Sequence, residues 1–119
     1  MNHISVCEAM SKKEIKDFTN LPWQIYLDNE AWVPPLKSDF RKYITGQTNS
    51  MNQSGPNIRL IAYKSGKPAA RLIAGINKHL NELKAYKEGY ISLFESIDDR
   101  DVSDALLGRA EEWFKEKGI

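Results

Sequence analysis

One cysteine, Cys7, in 119 residues excludes an internal disulfide. A single thiol fits a reducing compartment, and a cytoplasmic protein is expected. Long apolar runs are missing as well: none approaches the roughly 20 residues that a helical membrane span needs. No charged-then-apolar leader follows Met1. Neither sign of charge dominates, since 17 Lys and Arg stand against 16 Asp and Glu for a formal net charge of +1. No basic stripe with interleaved aromatics is present either, so neither nucleic acid nor membrane is expected as a partner. His3 and His79 have no Cys, Asp or second His at ligand spacing; they are read as solvated, and no metal is expected. Repeats are absent. What remains is a single domain over 1–119, large enough for one hydrophobic core.

The pattern is densest between Ile58 and Gly118. Ile58 to Tyr63 is rich in β-branched and aromatic residues and stops at Ser65-Gly66-Lys67-Pro68, where Gly permits a positive φ and Pro donates nothing to a ladder. That is a hairpin. The return arm, Ala69 to Ile76, sets Leu72, Ala74 and Ile76 on one face and Arg71, Ile73 and Gly75 on the other, so both faces require cover. A polar connection from Asn77 to Glu88 leads to a third strand of this stretch over 89–97, where Ile91, Leu93 and Ile97 are expected to share a face with Glu95. An acid thus interrupts an apolar stripe. Asp98 and Asp99 offer N-caps, and Val102, Leu106, Ala110 and Trp113 recur at helical spacing up to Gly118, which suits a C′ position.

Earlier in the chain, residues 3–8 alternate as a short strand, and Ser11-Lys12-Lys13-Glu14 has the spacing of a capping box, so a helix is expected to start at Lys12. Pro22 is expected to end or kink it, with a further short turn through Trp23, Ile25 and Tyr26. Trp32-Val33-Pro34-Pro35-Leu36 reads as a rigid extended connector, and Leu36, Phe40, Tyr43 and Ile44 as a second helix. Residues 47–57 have the composition of a mobile loop. The expected order is β-α-α-β-β-β-α: an α+β fold with a mixed, largely antiparallel sheet and flanking helices.

That order, with the phrases Phe18 to Leu36, Tyr63 to Arg71 and Gly89 to Gly118, resembles the N-terminal half of the GCN5-related N-acetyltransferase superfamily. More narrowly, it resembles a branch of larger bacterial acetyltransferase-like proteins with a PW-x-x-Y-x-x-x-x-x-WVPPL opening, here Pro22, Trp23, Tyr26, Trp32, Val33, Pro34, Pro35 and Leu36. A G-aromatic-x-x-x-F-E strand follows in Gly89, Tyr90, Phe94 and Glu95. The resemblance implies acetyl-CoA as cosubstrate, its pantetheine arm lying in a V beside the fourth strand (89–97) and its pyrophosphate on the turn into the following helix (101–117). It also implies an incomplete fold, because a fifth strand would begin where the sequence stops at Ile119. At the phosphate turn the superfamily has a Gln/Arg-x-x-Gly-x-Gly/Ala run; this chain has Ile97-Asp98-Asp99-Arg100-Asp101-Val102-Ser103-Asp104.

Glu95 is the catalytic candidate: a carboxylate on an apolar strand face can take a proton from an amine acceptor, whether a small molecule or a peptide. The backbone of Phe94, Ser96 and Ile97 is the candidate for pairing with pantetheine, as strand pairs with strand. Arg100 is the cation available to a pyrophosphate. Trp23, Tyr26 and Trp32 read first as core and second as an acceptor pocket, and Cys7 as a small buried residue without a basic partner. Two functional readings stand. One is an acyl-CoA-dependent N-acyltransferase; the other is a non-catalytic module that self-associates, or recruits another chain, through the edge of strand 89–97.

Overall fold

The computed structural model of the chain describes residues 3–26, 55–84 and 88–119. Strand β1 (Ile4–Glu8), helix α1 (Lys12–Ile25), strands β2 (Asn57–Lys64) and β3 (Lys67–Gly75), helix α2 (Lys78–Lys84), strand β4 (Tyr90–Ser96) and helix α3 (Arg100–Glu116) follow in that order. The strands form one antiparallel sheet in the order β1-β2-β3-β4, with helices on both faces, which is the α+β class expected. β4 therefore has β3 on one side and, among the described residues, an open edge on the other. The helix expected over Leu36 to Ile44 and residues 47–54 of the loop expected over 47–57 lie outside the described residues, while Asn57, at the end of that loop, is already the first residue of β2.

Alternation along β2 and β3 decides what each face holds. Ile58, Leu60 and Ala62 join Leu72 and Ala74 against the Val102, Leu106, Ala110 and Trp113 stripe of α3, all of them buried. Each large side chain so buried is worth roughly 1.5–3 kcal/mol, which is what fixes α3 on this face. The opposite face sets Ile61 and Ile73 against Phe18 of α1. The β2–β3 hairpin closes through Ser65 and Gly66, both at positive φ (52° and 81°), the conformation whose twist matches the flanking strands.

α1 begins as its sequence requires: Ser11 accepts from the Glu14 N–H while the Glu14 carboxylate accepts from the Ser11 N–H. It does not end at Pro22. The helix continues to Ile25, and the Tyr26 N–H still closes on the Pro22 carbonyl. A proline lacks an N–H for the carbonyl four residues back, here Phe18, and an interior proline survives when that carbonyl finds another donor. The stretch read as a polar connection also differs, because seven of its residues form α2.

The largest correction falls in β4. Arg71 pairs with Glu95 but Ile73 pairs with Ser92, so Leu93 and Phe94 together stand opposite Leu72 in a β-bulge. Leu93 has φ of 56°, a conformation that costs a leucine of order 1–3 kcal/mol. The face expected to unite Ile91, Leu93, Ile97 and Glu95 is not kept: the inserted residue shifts the alternation between Ile91 and Glu95, and Ile97 lies past the end of β4. Leu93 packs with the α1-side cluster, Ile97 with the α3-side cluster, and Ile91 is exposed.

Candidate active site

Past the bulge, Glu95 sits half-buried on the α1 side of the sheet. Because α1 runs through Pro22, its C-cap Tyr26 is carried over β4, and the Tyr26 hydroxyl donates to Glu95 Oε2 across 69 residues of sequence. That hydrogen bond to a carboxylate, with burial, pushes the Tyr26 phenol above its ordinary range, and the nearby Arg71 charge offsets only part of the rise. The phenol keeps its proton and acts as a donor to the carboxylate.

Arg71 lies beneath this pair, 2% exposed. Burial draws its guanidinium down to about 10, while the charge of Glu95 pulls the other way, and it remains cationic at neutral pH. Its Nη1 donates to the Phe18 carbonyl at 2.7 Å and its Nε to the Leu93 carbonyl at 3.3 Å. The guanidinium also lies 5.2 Å from the centre of the Phe18 ring. The Phe18 carbonyl is the one that Pro22 leaves without a helical donor. One cation therefore joins the interrupted helix, the bulge and the charge of Glu95.

The same face continues toward the start of β4, where Tyr90 pairs with Gly75. A Cβ at Gly75 would come within 2.3 Å of the Tyr90 ring, so only glycine lets the ring lie across β3.

The other candidates fall as follows. Ile97 donates its N–H to the Ala69 carbonyl at 2.9 Å, which commits that amide to β3. Strand alternation then turns the backbone of Ser96 to the open edge, while its hydroxyl donates to the Ile97 carbonyl at 2.8 Å. Phe94 belongs to the bulge and its side chain is 42% exposed. Among the described residues, the backbone groups of Ser96 are free of the ladder on this edge, and the exposed Phe94 side chain lies next to them. Arg100 has an exposed guanidinium that pairs with Asp104 at 3.6 Å. Trp23 is half-buried on α1; Trp32 and the side chain of His79 lie outside the described residues. Cys7 donates to Glu14 Oε2 at 3.3 Å, and burial, reinforced by that carboxylate, pushes the thiol up to about 11, so it is no nucleophile at neutral pH. Sequence reasoning missed Arg71 as a site residue. The signal was a single charge in the otherwise apolar run Ala69 to Ile76, matching the single acid in the next strand.

Solved structures share the fold. A tandem GNAT protein from the clavulanic acid biosynthesis pathway superposes with a TM-score of 0.68 at 10% identity, over 98% of this chain and 34% of that one. A predicted acetyltransferase from Clostridium acetobutylicum, solved with acetyl-CoA, gives 0.61 at 16% identity over 100% and 77%. An acyl-CoA N-acyltransferase from Pseudomonas aeruginosa gives 0.58 at 13% over 98% and 70%. The fold is that of acyl-CoA N-acyltransferases. Among curated proteins, the chain is 29% identical over 112 residues to protein YghO of Escherichia coli. It is 23% identical over 116 residues to the bacterial ceramide synthase of Caulobacter vibrioides. It spans 28% and 30% of those two proteins. No family model matches the chain. Among the described residues, no helix is long and apolar enough to cross a membrane.

Proposed function

We propose that the chain is the donor-facing part of an N-acyltransferase that moves an acyl group from an acyl-CoA-type thioester to an amine. The observation that carries this is Glu95 placed directly after the β4 bulge, oriented by the Tyr26 hydroxyl and beside the Arg71 charge, at an open strand edge. A thioester donor supplies the activated acyl group. Glu95 takes the proton that the amine releases as the C–N bond forms and the C–S bond breaks; the thiolate leaves and acquires a proton. Tyr26 holds the carboxylate to one orientation, and backbone groups that the bulge leaves outside the ladder are the donors for the acyl carbonyl oxygen.

A ceramide is an amide of a fatty acid with a long-chain amino alcohol, so the name of the Caulobacter relative makes long-chain amines the first acceptor class to test. The experiment is thiol release from acetyl-CoA and long-chain acyl-CoA, using the full-length protein and a panel of small, peptide and long-chain amines. Glu95→Gln is expected to lower turnover by about 10²-fold or more. Turnover unchanged in that variant removes Glu95 from the chemistry.

A second reading has its own observation. The outer edge of β4 is unpaired among the described residues, and Ile91 and Phe94 are 44% and 42% exposed along it. Edges of this kind recruit strands, so pairing of β4 with a second copy is the non-catalytic alternative. Under that reading sedimentation shows a dimer that Phe94→Lys dissolves, and acyl-CoA has no effect on thermal stability.

A further inference from the structure

Between β4 and α3 the chain satisfies its own amides. The Ile97 N–H donates to the Ala69 carbonyl at 2.9 Å and the Asp99 N–H to the Ile97 carbonyl at 2.8 Å. Asp99 then caps α3: its Oδ1 accepts from the N–H groups of Asp101 and Val102 at 3.0 and 3.4 Å, and its carbonyl accepts from Ser103 at 3.1 Å. The second carboxylate oxygen pairs with Lys64, which reaches over from β2. Hydrogen bonding from Lys64 and from the helix amides holds the Asp99 carboxyl below its ordinary range against a smaller opposing effect of burial, so it stays ionised at neutral pH.

A helix N-terminus attracts phosphate because its amides are unsatisfied and its dipole end is positive. Here a carboxylate already occupies that place. The charges around it add repulsion, since Asp98, Asp101 and Asp104 are exposed at the same end. Among the described residues, Lys64 is paired with Asp99 and Arg100 with Asp104. The described residues at this turn do not suit a diphosphate, whereas the edge of β4 left open among the described residues offers backbone groups to an amide-bearing arm.

We infer that this chain selects its donor by the acyl-pantetheine arm laid along β4, with no grip on the diphosphate at α3, so that acyl-pantetheine thioesters as a class are its substrates whatever lies beyond the phosphate. This rests on the acyl-transfer reading and narrows it. Donor discrimination is removed from the nucleotide and placed on the strand edge.

The test compares three probes on the full-length protein: acetyl-CoA, S-acetylpantetheine, and adenosine 3′,5′-bisphosphate as the nucleotide alone. By calorimetry the two thioesters are expected to bind within about threefold of each other, and millimolar bisphosphate is expected to leave the backbone amide signals of 97–103 unmoved. Asp99→Ser keeps an N-cap but removes the charge, and is expected to strengthen acetyl-CoA by about tenfold while leaving S-acetylpantetheine unchanged. Acetyl-CoA binding more than about thirtyfold tighter than S-acetylpantetheine, or bisphosphate shifting the 97–103 amides, overturns the inference while the acyl-transfer reading stands. If neither thioester binds, both fall.

Discussion

Replacing Arg71 by methionine removes a charge and, with it, the hydrogen bonds to the Phe18 and Leu93 carbonyls, while keeping a long unbranched side chain. Two things change in opposite directions. The buried guanidinium no longer has to be desolvated, but the Phe18 and Leu93 carbonyls lose their donors, at 2.7 and 3.3 Å in the native chain. An orphaned buried carbonyl costs about 1–3 kcal/mol, and proline at position 22 supplies no N–H to the Phe18 carbonyl. With the desolvation relieved, Arg71→Met should destabilise by about 2–4 kcal/mol. The distinctive part is the coupling to Pro22. Pro22→Ala supplies an N–H to the Phe18 carbonyl; with Arg71 present that carbonyl is already satisfied, whereas in the methionine background it is empty. Pro22→Ala is therefore expected to stabilise the Arg71→Met variant by about 1–2 kcal/mol more than it stabilises the native chain. Urea denaturation of the four proteins of this cycle measures the difference directly. A coupling below about 0.5 kcal/mol, the level at which independent sites add, refutes the idea that the proline vacancy is what Arg71 fills.

Other expectations follow from single contacts. Glu14 is held at about 2, chiefly by the backbone N–H groups of Ser11 and Met10, against an ordinary value of 4.5. A carboxyl depressed on folding contributes stability that is complete above the unfolded value and lost as pH falls through the folded one. Glu14→Gln, which preserves the capping geometry, should flatten the pH dependence of stability between about 4.5 and 2 in acid titrations followed by circular dichroism. With the Cys7 thiol raised from 9.0 to about 11, its thiolate fraction near neutral pH is lower by about 10²-fold. A disulfide reagent should accordingly react far more slowly than with a free cysteine, and faster in Glu14→Gln. Gly75→Ala forces a methyl to within 2.3 Å of the Tyr90 ring and should destabilise by about 1–3 kcal/mol, whereas Gly108→Ala, which meets nothing within 4 Å, should be neutral or stabilising in the same thermal melts.

How much of this could be read from the sequence depends on how far the cause lay from the effect. α3 was legible because Asp99, the Val102 to Trp113 stripe and Gly118 are all local signals, and each holds in the structure: Asp99 caps, the stripe is buried, and Gly118 has φ of 79°. The hairpin was legible for the same reason, as was the division of β3 into a Leu72/Ala74 face and an Arg71/Ile73 face. Glu95 stood out as a lone acid, but its partner Tyr26 is far away in sequence and read as core. The bulge left no trace, because leucine gives no sign of adopting a left-handed backbone. Pro22 was over-read as a stop: what lets the helix continue is a guanidinium from β3, which no local rule sees. In 78–84, Leu80 and Leu83 were the only periodic apolar pair, too little to distinguish α2 from a connector.

The guanidinium of Arg71 also acts as a check on strand alignment. Should β4 slip by one residue against β3, the Leu93 carbonyl would move out of reach and every side chain of β4 would exchange faces. A misaligned sheet would then hold an ion sealed from water without its bond to the Leu93 carbonyl, a state that costs about 1–3 kcal/mol. A polar residue at the heart of an oily layer thus penalises wrong pairings more heavily than it favours the right one.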